Sequence, residues 1–447
     1  MKKLISTLTN IWKIEDLRTR ILNTLLFLLI YRIGSHIVLP GINPAALQSE
    51  AKDGLIGLLN MFAGGSFSRS AIFALGVMPY ISASIVVQLL GIAVPYFQKL
   101  QKEGESGRKK MTQITRYLTL VITLVQAVAY VRSQISPDMR MSEIGEPTFT
   151  ILSTFILTAG TMFVMWLGEK ITDKGIGNGI SLIIMVGIIA QLPSGLISEW
   201  GARVGGQGGG LIPFIVELAA LFFVVVFTIM IVQGVRKIPV QYAKKIVGNK
   251  QYGGVRQYIP LKVNSAGVMP IIFAQAIMFV PLTLSQFFPD MKNSFLDSLS
   301  NYTSVTYNVT FAILIIAFTF FYTAIMVNPQ QMADDMKKNG GFIPGIKPGF
   351  ATGNYIDGVI SKITLPGSVF LAIIAILPAV AGKLGVNSQF AHFYGGTSLL
   401  ILVGVVLDTI QQIESHLLMR HYDGLMKSGR VKGRANAVAS GVTDPTL

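Results

Sequence analysis

Stretch after stretch of this chain runs for about 18 residues or more without a charged side chain, enough at 1.5 Å rise per residue to cross a hydrocarbon core of about 30 Å. A core surrounded by water cannot absorb so many: 51% of the 447 residues are hydrophobic and 13% charged, against roughly 25% charged in soluble domains. The chain is therefore read as membrane-embedded. Hydropathy places spans near 21–39, 71–94, 117–131, 149–168, 176–196, 211–233, 266–288, 309–327, 366–382 and 396–415. The fold class expected is an all-α integral membrane protein of about ten transmembrane helices.

The distribution of charge orients these spans. A formal net charge of +15 is compatible with nucleic-acid binding, a membrane surface or an orientation bias. About 29 of the 37 Lys and Arg lie in alternate connections: the N-terminus, 99–116, 169–175, 234–263, 328–365 and the C-terminal tail. Positive charge stays inside, so these segments and both termini are assigned to the cytoplasm, which an even number of spans requires. Met1 to Arg20 is basic and amphipathic and leads straight into a full-length span, so the first helix is expected to remain as an anchor.

Several chemistries are set aside by residue type. With no cysteine there is no disulfide, thiolate nucleophile or cysteine-ligated metal, and His36, His392, His416 and His421 include no tight ligand spacing. No cofactor, metal or catalytic residue is expected. A phosphate-binding Gly-x-x-x-x-Gly-Lys-Ser/Thr is missing, and Gly175-Ile-Gly-Asn-Gly179 lacks both the lysine and a preceding strand. Any energy for transport must come from elsewhere.

Two cytoplasmic loops stand out. The 234–263 loop carries Arg236, Lys237, Lys244, Lys245, Lys250, Arg256 and Lys262 with no acidic residue, interleaved with Tyr242, Tyr252 and Tyr258. Its period-two pieces 237–242 and 255–259, separated by Gly253-Gly254, predict a protruding β-hairpin, a basic finger that offers a docking surface. The second loop, 337–349, is punctuated by Gly and Pro, which fix turns rather than helices. Gly206–Gly210, on the external side, is expected to be a flexible connector.

Gly54-Leu-Ile-Gly-Leu-Leu-Asn-Met-Phe62 is apolar, but as a helix it reaches only about 13 Å and cannot span. Backbone at that depth survives only against protein or a water-filled cavity, so the segment is re-entrant or interfacial; folded back into an external cavity it would act as a movable stopper. Buried ionisable residues are scarce. Arg32 and Glu217 are the clearest, with Glu169 and Asp408 nearer helix ends, and this scarcity argues against an ion-coupled carrier. Ser82, Ser84, Gln88, Thr123, Gln126, Asn264, Ser265 and Gln275 place uncharged polar groups in or beside spans, as a set suited to a wet or openable seam. Pro79, Pro270, Pro281 and Pro378 are expected to bend or interrupt helices.

Asn60-Met-Phe-Ala-Gly-Gly65, Phe73-Ala-Leu-Gly-Val-Met-Pro-Tyr-Ile-Ser-Ala-Ser84, Gly175-Ile-Gly-Asn-Gly-Ile-Ser181, Pro260-Leu-Lys-Val-Asn-Ser-Ala-Gly-Val-Met-Pro270, Phe342-Ile-Pro-Gly-Ile-Lys-Pro-Gly349 and Gly395-Gly-Thr-Ser-Leu-Leu-Ile401 occur in this order. Together they resemble the SecY/Sec61-alpha family of protein-conducting channels, from the first span to about Arg434. The resemblance implies two five-helix halves, 1–200 and 201–434, related by an inverted repeat around an hourglass pore, with 435–447 running past the pattern and expected to be disordered. It places a plug at about 55–66, including Leu55, Ile56, Leu58, Leu59, Asn60, Met61, Phe62, Gly64 and Gly65. A constriction ring would fall on Val77, Ile81, Ile180, Ile184, Ile272 and Ile401. Val77/Ile81 and Ile180/Ile184 are i,i+4 pairs that each present one helical face. Branched aliphatic side chains there would offer an ion no replacement for its hydration shell.

A lateral gate would lie beside Ser82, Gln126 and Val280, where apolar signal sequences leave for lipid. The function implied is passage of unfolded secretory polypeptides across the bacterial cytoplasmic membrane and sideways release of transmembrane segments. The partners implied are SecE, SecG, a signal-sequence-bearing polypeptide and, docking on the basic loops, the SecA ATPase or a ribosome. At Lys347 the family typically has Arg, whose planar bidentate contact Lys cannot reproduce. A secondary transporter of small solutes and a membrane-embedded enzyme are the alternatives; the first requires an essential buried carboxylate, the second a membrane-depth acid/base pair or nucleophile.

Overall fold

The computed structural model describes residues 12, 14–43, 60–135, 139–140, 145–205, 210–242, 245–247, 250–252, 256–287, 298–299 and 303–427. Leu55, Ile56, Leu58, Leu59, Lys244, Gly253-Gly254, most of the 206–210 connector and the 435–447 tail lie outside the described residues; of Lys245, Lys250, Arg256 and Val280 the backbone alone is described. The described residues are mostly helical, with one three-stranded and one two-stranded sheet. In order come α1 (Glu15–Gly34), α2 (Met78–Ala93), α3 (Pro95–Lys102), α4 (Glu105–Gln134), α5 (Glu146–Lys174), α6 (Gly179–Val204) and α7 (Leu211–Gln233). Strands β1 (Val235–Tyr242), β2 (Lys245–Val247), β3 (Lys250–Tyr252) and β4 (Arg256–Lys262) follow. Then come α8 (Met269–Phe287), α9 (Val305–Met326), α10 (Pro329–Lys338), β5 (Gly341–Phe342), α11 (Phe350–Lys383) and α12 (Gly396–Lys427).

Seven described helices are long and apolar enough to cross a membrane, and the bent pair α2–α3 makes an eighth. The 20 residues of α1 and 19 of α8 extend about 30 and 28 Å, enough for two more and a total of ten. The span expected at 211–233 is α7 residue for residue.

The second span is corrected. Ala71 bridges to Val38 and residues 72–77 form turns, not helix, and the helix begins at Met78 with Pro79 in its first turn, where a missing N–H costs no hydrogen bond. Pro79 therefore starts a helix rather than bending one, and Pro270, second residue of α8, is placed likewise. The bend falls instead at Val94, whose extended backbone (φ −111°, ψ 122°) is what a residue preceding proline adopts; α3 leaves α2 at 97°.

The loops assigned to the cytoplasm by their charge are also more helical than expected. The 99–116 loop is mostly the end of α3 and the start of α4. The 328–365 loop contains α10, capped by Asn328 Oδ1 accepting from Gln331 N at 3.1 Å, and the first turns of α11. At 34 residues α11 runs about 51 Å, so it projects well beyond a hydrocarbon core of about 30 Å.

Polar side chains inside spans are largely satisfied by their own helices. The hydroxyls of Thr119 and Thr123 donate to the carbonyls four residues back at 2.7 and 2.6 Å, and Ser82 does the same at 3.2 Å. Gln88 Nε2 reaches Ser84 Oγ at 3.2 Å. Thr123, Ser82, Ser84 and Gln88 thus leave little for a wet seam, whereas Asn264 Oδ1 and Gln275 Nε2 are buried without a partner.

Apolar packing divides into four clusters. One draws only on residues between Val38 and Leu157, a second only on residues between Val224 and Leu407, and a third joins both sets. The fourth lies apart. In it Ile238, Val240 and Leu261 of the finger pack with Met336 of α10, Ile343, and Ile356 and Ile360 of α11.

The finger is a hairpin, as its period-two pattern predicts: β1 pairs antiparallel with β4 from Val235↔Lys262 to Gln241↔Arg256, and β2 with β3 in the same register. Strand β5 adds to the other edge of β1 through Gln241↔Phe342 and Tyr242↔Gly341, so the two basic loops form one platform. Alternation puts Ile238 and Val240 in that core and Lys237 and Pro239 on the exposed face, while Arg236, on the Ile238 side near the strand's start, is also exposed. Ile238→Ala is expected to cost about 2–5 kcal/mol of local stability. Limited proteolysis should then cut 234–263 faster while the membrane helices stay protected; unchanged cutting would show that the finger does not depend on this core.

Candidate pore, plug and gate

The six residues expected to form a ring fall in or against one apolar cluster. Val77, Ile184 and Ile401 are buried in the cluster that joins both parts of the chain, and Ile81, Ile180 and Ile272 pack against it half-buried. They come from α2, α6, α8 and α12. Val77 is the cap of α2 rather than an interior residue, but Ile81 N still donates to its carbonyl at 3.1 Å, so the pair stays on one side. Helix α6 is started by Asn178, whose Oδ1 accepts from Ile180 N and Ser181 N at 3.2 and 3.3 Å. That cap sets the face carrying Ile180, Ile184, Gly187 and Gln191, spaced by four, three and four residues.

The described part of the stopper, from Asn60 onward, sits against the ring. Met61 and Phe62 are buried in the same cluster as the six aliphatic residues. Residues 60–62 are helical and 63–70 are turns, with Gly64 and Gly65 at φ +64° and +86°, the left-handed region that glycine enters without strain. Asn60 organises the segment: its Oδ1 accepts from Ser68 N at 3.0 Å, and its carbonyl accepts Gly65 N at 2.8 Å and Gln191 Nε2 at 2.9 Å. The Gly64 carbonyl takes two guanidinium groups, Arg32 Nη1 and Arg69 Nη2, each at 2.9 Å. Tyr130 OH donates to the Phe67 carbonyl at 2.6 Å.

Arg32 has a job here, tying α1 to the stopper; hydropathy flags it only as a buried charge. Arg69, Gly187 and Gln191 escape notice in the sequence. Their signal is the α6 stripe itself, which passes from Ile180 and Ile184 to a small and then a polar residue on one face, the pattern of a helix approached closely by another backbone.

A cavity of about 110 Å³ is lined by Phe62, Ile81, Ile184, Ile272 and Ile401 together with Ser82 and Gln126. Two of the three residues expected at the gate thus line the same cavity as four of the six expected in the ring. On the platform, Lys347 is exposed, and its carbonyl accepts from Thr352 Oγ1 at 2.9 Å at the start of α11.

The described geometry is therefore an aliphatic cluster drawn from four helices, a short turn-rich segment packed against it, a cavity beside both and a basic platform. Residues 71–410 match the SecY family model. The protein translocase subunit SecY of Streptomyces scabiei is 42% identical over 442 residues, covering 95% of this chain and all of that protein. Among solved structures, a protein-conducting channel aligns with a TM-score of 0.63 at 19% identity, covering 89% of this chain and 92% of that one. Sec61 in the canine ribosome-channel complex from the endoplasmic reticulum aligns with a TM-score of 0.58 at 18% identity, covering 89% and 92%. The structural likenesses establish a shared channel fold, and the match over most of the chain together with the 42% identity establishes kinship: this multi-pass membrane chain belongs to the SecY family.

Proposed function

We propose that this chain is the pore-forming subunit of a protein translocase in the bacterial cytoplasmic membrane, with both termini cytoplasmic. The observation that carries the reading is the convergence of six branched aliphatic side chains from four helices on the segment Asn60–Gly65. Val77, Ile81, Ile180, Ile184, Ile272 and Ile401 form the gasket, and Asn60, Met61, Phe62, Gly64 and Gly65 belong to the plug that rests on it. Ser82, Gln126 and Val280 line the route by which an apolar signal sequence leaves for lipid. Residues 1–200 and 201–434 form the two halves between which the pore opens. A translocase pore, rather than a small-solute carrier, agrees with the translocase relatives and with a constriction that offers no fixed polar group to a solute.

The platform built from 234–263 and 337–349, with Arg236, Lys237, Lys244, Lys245, Lys250, Arg256 and Lys347, docks the partner that drives the chain through. Ribosome-bound relatives of the same fold support one such partner; SecA is the other, and SecE and SecG complete the channel.

The lack of cysteine makes the test direct. With single cysteines at Ile180 or Ile401, a secretory chain stalled in transit and carrying its own cysteine is expected to form a disulfide at both positions. Cysteines at the outward-facing Ile212 and Phe223, 76% and 70% exposed, are expected to stay unlinked. Linkage only to the outward positions removes the pore assignment.

A further inference from the structure

Glu217 stands out in the sequence as an ionisable group inside a span, and the pore does not use it. In the structure it belongs to a knot with Glu199 and Arg203, at the end of α6 opposite Ile180. Arg203 Nε donates to Glu199 Oε1 at 3.0 Å, and Arg203 Nη2 donates to Glu217 Oε1 at 2.5 Å and to the Gly385 carbonyl at 2.7 Å. Glu199 Oε2 accepts the backbone N–H of Asn387 at 2.8 Å. The Glu199 side chain is 0% exposed and that of Glu217 12%.

Three of the four carboxyl oxygens thus have donors, and the fourth, Glu217 Oε2, is buried without one. The two carboxyl groups nevertheless lie within hydrogen-bonding reach of each other. Two carboxylates have only acceptors to offer and repel each other even when they share Arg203, and a proton on one of them turns that repulsion into a hydrogen bond. Charge leads to the same count. Two carboxylates against one guanidinium leave a net negative charge among side chains that are 0% (Glu199), 12% (Glu217) and 15% (Arg203) exposed, and one proton removes it. Tyr394, 6% exposed, faces the same three side chains.

We propose that Glu199 and Glu217 form a buried proton-binding site, in which Glu217 carries the proton on Oε2 and donates it to Glu199 while Arg203 balances the remaining charge. The site goes beyond the channel reading and shares no residue with the ring, plug or gate. The groups around it are Glu199 and Arg203 from α6, Glu217 from α7, Tyr394 from the turn before α12, and the backbone of Gly385 and Asn387. It ties α6 to α7 and to the segment after α11. Loss of the proton sets two like charges against each other and loosens the tie.

The sign follows from proton counting. An unfolded glutamate is ionised at neutral pH, with an ordinary value of about 4.3, so the folded state holds one proton more. Stability is then fully present at low pH and falls, by about tenfold in the folding equilibrium per pH unit, as pH rises through the titration of the site.

The test uses the full chain assembled with its partner subunits in lipid nanodiscs. Infrared difference spectra at neutral pH are expected to show the carbonyl stretch of a protonated carboxyl, shifted in heavy water and lost in Glu217→Gln, whose amide keeps a donor in place. Thermal unfolding of the parent should shift downward as pH is raised, and the Glu217→Gln profile should be flatter. Glu199→Gln should be tolerated less well than Glu217→Gln, because glutamine has one acceptor oxygen for Arg203 and Asn387 to share. A missing carboxyl band, a band that persists in Glu217→Gln, or parallel pH profiles would each overturn the proposal. So would stability that follows sodium or potassium concentration at fixed pH, which would make the ligand a metal cation. Because none of these measurements involves translocation, a negative result leaves the pore reading untouched, and failure of the cysteine test leaves this site untouched.

Discussion

Replacing Ile81, Ile184 and Ile272 together with serine is expected to raise the ion conductance of the resting channel in planar bilayers by at least about tenfold. These three residues come from α2, α6 and α8, and all belong to or pack against the cluster that also buries Met61 and Phe62. An ion crossing an aliphatic ring must shed water and receives nothing in exchange, so the barrier is one of desolvation. Serine hydroxyls restore partial solvation and leave room for water. A fall in the barrier of only 1.4 kcal/mol is about tenfold in rate, and three substitutions around one constriction should exceed that. The swap also removes apolar packing, so the parent's thermal stability must be followed alongside; leak without loss of the folded fraction is the expected pair of results. If conductance stays at the parent level, either the ring does not seal or Asn60–Gly65 seals alone, and the plug variant below distinguishes the two.

The spans were legible because hydropathy reports a local property, and α7 shows how well that works for a helix with a single charged residue, Glu217, in 23. It failed where polarity and helicity part company. The first turns of α11 carry Gly353, Asp357, Gly358 and Lys362, which read as loop, yet Ile356 and Ile360 bury one face of them against the finger. The finger was legible as period two, but its pairing with Gly341–Phe342 joins segments about 100 residues apart and leaves no mark on either. Of the site, the resemblance supplied the six expected ring positions, and the structure places all six in or against one large apolar cluster. What it could not supply was the backbone contact of Gly64 with Gly187 or the sharing of one carbonyl by Arg32 and Arg69, because both depend on the turn that follows Phe62. The Glu199–Glu217 contact was hidden for the same reason: Glu199 lies near the end of a long apolar helix, where a sequence gives no hint of what α7 brings to it.

Gly187→Val is expected to displace the plug and leave the channel leaky without damage to the helix that carries the change. Gly187 sits one turn beyond Ile184, and a Cβ built there would lie 2.8 Å from the Phe62 carbonyl oxygen and 3.1 Å from Gly64 N. Those are backbone atoms, and they are not free to yield. The Phe62–Gly65 turn is held through Asn60 by Gln191 and at Gly64 by Arg32 and Arg69. Overpacking of this kind costs about 1–3 kcal/mol. At 1.4 kcal/mol per factor of ten, the balance between seated and displaced plug moves by about five- to a hundredfold. Gly187→Ala is the informative companion, because alanine favours helix over glycine by about 0.8–1.0 kcal/mol. It should strengthen α6 while crowding Gly64, so any leak in that variant arises at the contact and not from a weakened helix. The readout is a cysteine at Met61, 3% exposed in the seated plug. It should resist a membrane-impermeant maleimide in the parent, react partly with Gly187→Ala and react fully with Gly187→Val, with conductance rising in the same order. Equal protection in all three would show that the segment is held by contacts other than this glycine pair, and that the close approach of Gly64 to α6 does not seat the plug.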